Sequence, residues 1–290
     1  MKYRITHTTV YSGDERVSVC HNAAWLFPRS IASQKVHHTR LDITPSPSVR
    51  TDLEDPFGNQ MSLFSFNEGY DKLTVTALSD ITVNGRVLPP LQQSPAWEEI
   101  KRELESRQTP GALEAAEYLY DTQHVKSFAE LRDYTKASFT PGRPILEAMA
   151  NLTSRIHKDF RYDPTTTTVT SSVAEVFGHH SGVCQDFAHL AIAGMRSIGL
   201  AARYISGYLR TYPPPGKPRL VGTDASHAWY SAYCGEYLSW VDSDPTNNIF
   251  PNLEHVTLAW GRDYNDVPPI KGVYLGGGNH QLNVSVDVAT

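Results

Sequence analysis

The 290-residue sequence contains only three cysteines, Cys20, Cys184 and Cys234, and they lie far apart. Three distant cysteines without a Cys-x-x-Cys pair do not indicate a disulfide framework. Each cysteine is therefore expected to be either a small buried side chain or a reactive group.

The sequence also lacks long apolar runs and concentrated positive charge. No run approaches the ~20 apolar residues of a membrane helix. The start, Met1–Thr6, alternates polar and apolar residues and does not resemble a secretory signal. The net charge is −5, and the only short basic cluster is Lys101-Arg102, which argues against nucleic-acid binding. We therefore expect a cytoplasmic protein without membrane or nucleic-acid partners. Its oligomeric state is not indicated.

The pattern along the chain predicts an α+β protein in three parts. Residues 1–88 contain short β-branched or alternating segments separated by turn sequences, which is typical of an antiparallel β-sandwich-like domain. The proline pair Pro89-Pro90 ends this domain, and residues 89–140 form a helical connecting segment. Residues 141–290 form a core with a C-terminal β tail.

The core combines two predicted helices with several strands. Apolar residues recur at helical spacing between about residues 144 and 160. A second, apolar helix follows Gly182 and Cys184 and ends before Gly199. Strands are predicted at Ala201–Leu209, His227–Cys234, Tyr237–Asp244 and, in the tail, Gln281–Val288.

Cys184 lies at the predicted first turn of the apolar helix. The positive end of the helix dipole favours a thiolate over a thiol at this position. The backbone N–H groups of the first turn have no intrahelical partner and can bind an oxyanion. The alternative is a small buried side chain, which is a common role for a free cysteine. Cys20 and Cys234 lack the helix-start context, and for them we expect that alternative.

A thiol nucleophile needs a base, and the base needs a group that orients it. His227 opens a predicted strand. If residues 235 and 236 form a two-residue turn, or the centre of a symmetric four-residue loop, His227 lies directly opposite Asp244. A carboxylate there can accept the imidazole N–H and fix its tautomer. Asp242, which would lie opposite Trp229, is the less favoured alternative.

A metal site is a further alternative for this region. His179, His180, Cys184 and His189 lie close together in the sequence, but they form no His-Glu-x-x-His or Cys-x-x-Cys motif. His189 also falls inside the apolar helix. We therefore expect neither a metal nor an organic cofactor.

Four sequence motifs, in this order, resemble the bacterial transglutaminase-like superfamily. They are Gly182–Leu190, Ala201–Tyr208, Ala225–Trp229 and Asp244–Asn247. Residues 3–77 are similar to the β domain that often precedes this core, and residues 261–267 also fit. The resemblance implies a papain-like core in which a cysteine-bearing helix packs on an antiparallel sheet that carries His and Asp. It assigns those three positions to Cys184, His227 and Asp244.

The resemblance implies acyl transfer on a peptide bond or a glutamine amide of a peptide or protein substrate. Relatives are often described as cysteine proteases, so hydrolysis is favoured over transamidation, although the residues do not decide between them. Gln185 is a candidate oxyanion donor and Trp229 a candidate cleft residue, and the loop Thr211–Thr223 is expected to border the cleft. A non-catalytic peptide-binding scaffold is the alternative of another class, and the three intact residues count against it.

Overall fold

A computed structural model describes residues 1–211 and 225–290. Most of the loop that we expected to border the cleft, residues 212–223, lies outside the described residues. No helix within the described part of the chain is long and apolar enough to span a membrane.

The N-terminal sheet has seven strands arranged around one long strand, β1. The strands of this sheet are β1 (Lys2–Ala24), β2 (Gln34–Thr44), β3 (Val49–Glu54), β4 (Gln60–Phe66), β5 (Tyr70–Val83), β12 (Ile270–Gly276) and β13 (His280–Ala289). The first half of β1 pairs with β5 and β13, and the second half with β4 and β12. Apolar side chains of β2, β4, β5 and the second half of β1 form one buried cluster, which gives the expected sandwich-like character.

The last two strands return to the beginning of the chain. Residues Arg4–Gly13 of β1 pair with β13, and Val17–Ala24 pair with β12, both antiparallel. The predicted core, residues 141–290, includes this β tail, and the pairing with β1 was not predicted. The tail thus links the end of the core to the N-terminal sheet.

Within the described residues, six α-helices connect and cover the two main sheets. They are α1 (Trp97–Ser106), α2 (Pro110–Ala115), α3 (Ala129–Lys136), α4 (Ile145–Asp159), α5 (Val173–His179) and α6 (Cys184–Ser197). The first three fall in the segment predicted to be helical. Together with the two sheets they confirm the predicted α+β class.

The second sheet is antiparallel and has the order β10-β9-β8-β11. Its strands are β8 (Ala202–Leu209), β9 (Ala225–Tyr233), β10 (Trp240–Ser243) and β11 (His255–Gly261). A short parallel pair, β6 (Arg161–Tyr162) with β7 (Ser181–Gly182), precedes α6. Helix α6 packs against β9 and β8, as the resemblance implied. Nearly every residue of α6 is buried, which explains why its sequence is apolar on all sides.

The predicted register of the β9–β10 hairpin is wrong by two residues. The structure pairs Tyr233 with Trp240, and the Cys234 N–H donates to the Ser239 carbonyl, so the connecting loop contains residues 235–238. Asp242 consequently lies opposite Ser231. A register shift by an even number of residues keeps every side chain on its predicted face of the sheet. The strand ends at Ser243.

Candidate active site

Cys184 is the first residue of α6, where the sequence placed it. Val183 precedes it in an extended conformation, and the Asp186 carboxylate accepts the Val183 N–H at 2.8 Å, which holds the start of the helix. The Cys184 side chain is partly exposed. Its backbone N–H belongs to the first turn and has no intrahelical acceptor. The sulfur therefore sits at the positive end of the helix dipole, next to an available N–H donor.

His227 is buried on β9 between Asp244 and Cys184. Its Nε2 atom lies 2.8 Å from Oδ2 of Asp244, and the Cys184 side chain is close enough to favour the charged form of the ring. Because Nε2 faces the carboxylate, Nδ1 is the nitrogen available to the sulfur. Burial alone lowers the pKa of His227, but the hydrogen bonds and negative charges of Asp244 and Cys184 outweigh it and raise the pKa to about 10. The site thus favours a protonated imidazole beside the sulfur.

Asp244 is completely buried and saturated with hydrogen bonds. Its Oδ2 accepts from His227 at 2.8 Å, from His255 at 3.0 Å and from the Asn247 amide at 2.7 Å. Its Oδ1 accepts the backbone N–H groups of Thr246 at 2.9 Å and Asn247 at 3.2 Å. Burial raises the pKa of this carboxyl, but the hydrogen bonds from both imidazoles and from Asn247 outweigh it and hold the pKa far below its usual range.

The structure brings the three predicted triad residues together, although the pairing used to argue for Asp244 was wrong. Extending the observed register would place Asp244 opposite Trp229, one pair away from His227 on the same face. Side chains on diagonal positions of one face remain within reach of one another. After Ser243 the chain turns, and Asp244 exchanges both backbone hydrogen bonds with Ile249. Asp242, the alternative, instead accepts the Trp229 indole N–H at 3.1 Å.

Two residues at the site were not predicted, His255 and Asn247. His255, the first residue of β11, is 5% exposed, and its Nδ1 has no hydrogen-bond partner among the described residues. Asn247 lies in the quoted Asp-Pro-Thr-Asn motif and holds Asp244 through both its backbone and its side chain. A polar residue in a matched motif is a signal that could have identified Asn247. His255 has no such signal, since it reaches Asp244 from beyond β8.

Trp229 and Gly207 explain how His255 reaches the site. The Trp229 indole packs edge-on against the His255 ring, with centroids 5.1 Å apart, and lies across β8. A Cβ atom on Gly207 would come within 2.4 Å of that indole and 2.2 Å of the Val256 carbonyl oxygen. A glycine on β8 thus leaves room for the aromatic ring that supports His255.

The two predicted accessory residues are already engaged within the protein. The Trp229 side chain is fully buried, and its N–H donates to Asp242. The indole N–H of Trp229 is therefore engaged, and its expected place beside the cleft stays a prediction. Gln185 is 8% exposed and donates one amide N–H to the Val169 carbonyl at 3.2 Å, so it is not solvent-facing.

The other two cysteines and His189 lie in surroundings that differ from those of Cys184. Cys20 and Cys234 are both buried, and burial raises the pKa of the Cys234 thiol well above its usual range. His189 is buried within α6 and accepts the Tyr264 N–H. Within residues 1–211 and 225–290, three metal-ligating atoms come within 4.8 Å of one another only at His227, Asp244 and His255.

Two family models match the chain. Residues 3–82 match the bacterial transglutaminase-like N-terminal region, and residues 132–245 match the transglutaminase-like superfamily. The second match contains Cys184, His227 and Asp244, whereas His255 lies beyond its end.

Relatives cover the whole chain. An uncharacterized protein of Mycobacterium tuberculosis (strain ATCC 25618 / H37Rv) is 40% identical over 296 residues, covering 99% of this chain and 92% of the relative. An uncharacterized protein of Mycobacterium leprae is 30% identical over 290 residues, covering 99% and 98%. Among solved structures, "a Putative Cysteine Protease from Cytophaga hutchinsonii" has a TM-score of 0.79 at 21% identity, covering 100% of this chain and 90% of that one. That likeness shows a shared fold.

Proposed function

This chain belongs to the transglutaminase-like superfamily, and from that premise we propose that it is a thiol enzyme that opens amide bonds through a thioester on Cys184. One observation carries the proposal. A cysteine at a helix N-terminus, a histidine and a buried carboxylate lie next to one another in the order that nucleophilic catalysis requires, and a 2.8 Å hydrogen bond joins the histidine to the carboxylate.

In the resting state of the proposed reaction, the thiol proton of Cys184 already lies on Nδ1 of His227, which leaves a thiolate beside an imidazolium. The thiolate attacks the carbonyl carbon of a peptide bond or a glutamine side-chain amide, forming a carbon–sulfur bond. The Cys184 backbone N–H donates to the oxyanion. The tetrahedral intermediate then breaks its carbon–nitrogen bond, and Nδ1 of His227 protonates the departing amine. Asp244 stabilises the imidazolium and fixes its orientation throughout.

In the second half, a nucleophile releases the acyl group. We propose that water is the main acceptor, since it requires no second binding site. Nδ1 of His227 takes a proton from the water as it attacks the thioester, and the sulfur leaves with that proton. The products are a carboxylic acid and the free thiol. An amine in place of water gives transamidation. We further propose that the substrate is a peptide or protein of the cytoplasm.

The first test is the alkylation rate of each cysteine by iodoacetamide across pH, followed by mass spectrometry in wild type and His227→Ala. The expected result is that Cys184 reacts well below pH ~8.5, the ordinary pKa of a thiol, and loses this reactivity in His227→Ala. Cys20 and Cys234 serve as internal controls, because both are buried. If Cys184 reacts no faster than these two in the native protein, Cys184 is not an activated nucleophile and the scaffold alternative is favoured.

The second test separates the two acceptors. Wild type and Cys184→Ala are incubated with a mixture of unlabelled peptides and glutamine-containing proteins, with and without a fluorescent primary amine. Cleavage or deamidation that needs Cys184 supports hydrolysis. Incorporation of the amine that needs Cys184, without cleavage, would instead assign transamidation.

A further inference from the structure

We propose that His227, Asp244 and His255 also form a site for a divalent transition-metal ion such as Zn²⁺, whose binding blocks the thiol chemistry. The binding part of this inference stands on geometry alone. The inhibitory part rests on the function proposed above.

The distances from Oδ2 of Asp244 to the two imidazole nitrogens are already close to the distances between ligand atoms around zinc. Nε2 of His227, Oδ2 of Asp244 and Nε2 of His255 all lie within 4.8 Å of one another. Oδ2 is 2.8 Å from the first nitrogen and 3.0 Å from the second. Tetrahedral zinc with bonds of about 2.0–2.1 Å places its ligand atoms about 3.3 Å apart. The two oxygen–nitrogen pairs therefore need to separate by only a few tenths of an ångström to admit the ion.

The donor set and its surroundings also suit this ion. Two imidazoles and one carboxylate are typical zinc ligands, and a three-residue set leaves a fourth position for water. The backbone N–H groups of Thr246 and Asn247 hold the other oxygen of Asp244 and so orient Oδ2. A cavity of about 820 Å³ is lined in part by His255, so one member of the otherwise buried cluster borders open space.

The protons balance without any redox partner. An ionised carboxylate only accepts hydrogen bonds, so both Nε2 atoms carry a proton in the metal-free site. When zinc binds, the His227 imidazolium releases its Nε2 proton to solvent and keeps Nδ1–H. His255 exchanges its Nε2 proton for one on Nδ1, which has no hydrogen bond to lose among the described residues. Three metal–ligand bonds replace the two imidazole hydrogen bonds on Oδ2, an oxygen that also accepts the Asn247 amide at 2.7 Å.

Zinc at this site prevents the proton transfer that amide cleavage needs. In the metal-free triad, His227 gives up its Nδ1 proton and becomes a neutral imidazole that still donates to Asp244. With zinc on Nε2, loss of the Nδ1 proton would leave an imidazolate. His227 then cannot protonate the leaving amine, and the ion acts as a reversible inhibitor.

The test is a zinc titration against a chromophoric chelator, using the full chain in four forms: wild type, Cys184→Ala, His255→Gln and His7→Gln. His7 is the matched control, because it is also a buried, hydrogen-bonded histidine but lies on β1, where it contacts Tyr208 and Thr9. We expect one zinc per chain in wild type, Cys184→Ala and His7→Gln. In His255→Gln the dissociation constant should rise at least tenfold.

A spectroscopic measurement on wild type guards against a variant that fails to fold. Co²⁺ bound to nitrogen and oxygen ligands gives visible d–d bands without the sulfur-to-cobalt charge-transfer band of a thiolate complex. A thiolate band, or loss of binding in Cys184→Ala, would place the ion at the Cys184–His227 pair and overturn the inference. Unchanged affinity in a folded His255→Gln would also overturn it. Zinc binding in a protein whose Cys184 shows no activation would leave the site intact while refuting the proposed function.

Discussion

His255 donates a 3.0 Å hydrogen bond to Oδ2 of Asp244, from a strand that lies two strands away from β9. The same oxygen accepts the hydrogen bond of His227. Because the carboxylate can rotate about its side-chain bonds, a second imidazole on Oδ2 restricts the direction in which that oxygen points. His255 is therefore placed to act as a positioning residue, through Asp244, on the orientation of His227.

We expect His255→Gln to slow alkylation of Cys184 near neutral pH by about tenfold and to make the alkylation rate vary less with pH. Glutamine can still fill part of the space but does not reproduce the imidazole geometry. The lost hydrogen bond to a charged group should also cost about 1.5–3 kcal/mol of unfolding free energy. His7→Gln should lose comparable stability without changing Cys184 reactivity. If both variants affect the reactivity equally, His255 has only a general structural role.

The raised pKa of His227 predicts a specific loss of stability with rising pH. Its folded value of about 10 lies above the unfolded value of about 6.5. The associated stabilisation is therefore fully present below pH 6.5 and is lost as the pH rises toward 10. Because each pKa unit corresponds to about 1.4 kcal/mol, the change should amount to a few kcal/mol.

Urea unfolding of wild type and His227→Gln at several pH values between 6 and 10 measures this change. The unfolding free energy of wild type should fall more steeply than that of the variant across the interval. Parallel curves for the two proteins would show that His227 is not held as an imidazolium in the folded protein.

Because the surroundings of Gly207 leave no room for a side chain, we predict that a substitution there disturbs the active site indirectly. Gly207→Ala would bring a methyl group against the Trp229 indole and the Val256 carbonyl oxygen, and the backbone contact cannot be relieved by a rotamer change. We expect a loss of about 1–3 kcal/mol of unfolding free energy from overpacking, together with slower alkylation of Cys184.

Gly178→Ala is the matched control, because a Cβ there meets nothing within 4 Å and the residue lies in α5. Its stability should be unchanged or higher by up to about 1 kcal/mol. A Gly207→Ala protein as stable and reactive as wild type would contradict the proposed support of His255.

Much of this site could be predicted because its features are local in the sequence. The start of α6 at Cys184 follows from Gly182 and the apolar run behind it, and the β9 and β10 strands follow from alternating and apolar residues. The hairpin register could not be fixed in the same way. A loop of residues 235–238 and a turn of residues 235–236 leave similar patterns, because a slip of two residues preserves the alternation.

Contacts between distant strands could not be predicted from local patterns. His255 is an isolated histidine at the start of β11, and it reaches Asp244 only because of the strand order β10-β9-β8-β11. Gly207 contributes because its lack of a side chain makes room on β8 for the Trp229 indole that packs on His255. The pairing of β13 with the first strand joins residues more than 260 positions apart, which alternation alone does not specify. Such features depend on how elements assemble and not on how each one forms.

The two candidate carboxylates of the sequence analysis can be separated by one matched pair of variants, Asp244→Asn and Asp242→Asn. Each variant removes one negative charge, and the two positions lie two residues apart at the end of β10. Asp244→Asn should lower the pKa of His227 and reduce Cys184 alkylation near neutral pH by at least tenfold, because the imidazolium loses its charged acceptor. Asp242→Asn should leave the reactivity within a few-fold of wild type, since Asp242 contacts the Trp229 indole and not His227. Alkylation of Cys184 across pH in both variants gives the answer directly. If Asp242→Asn caused the larger loss, the carboxylate that serves His227 would have to be reassigned, and the hydrogen-bond geometry around Asp244 would be a structural feature only.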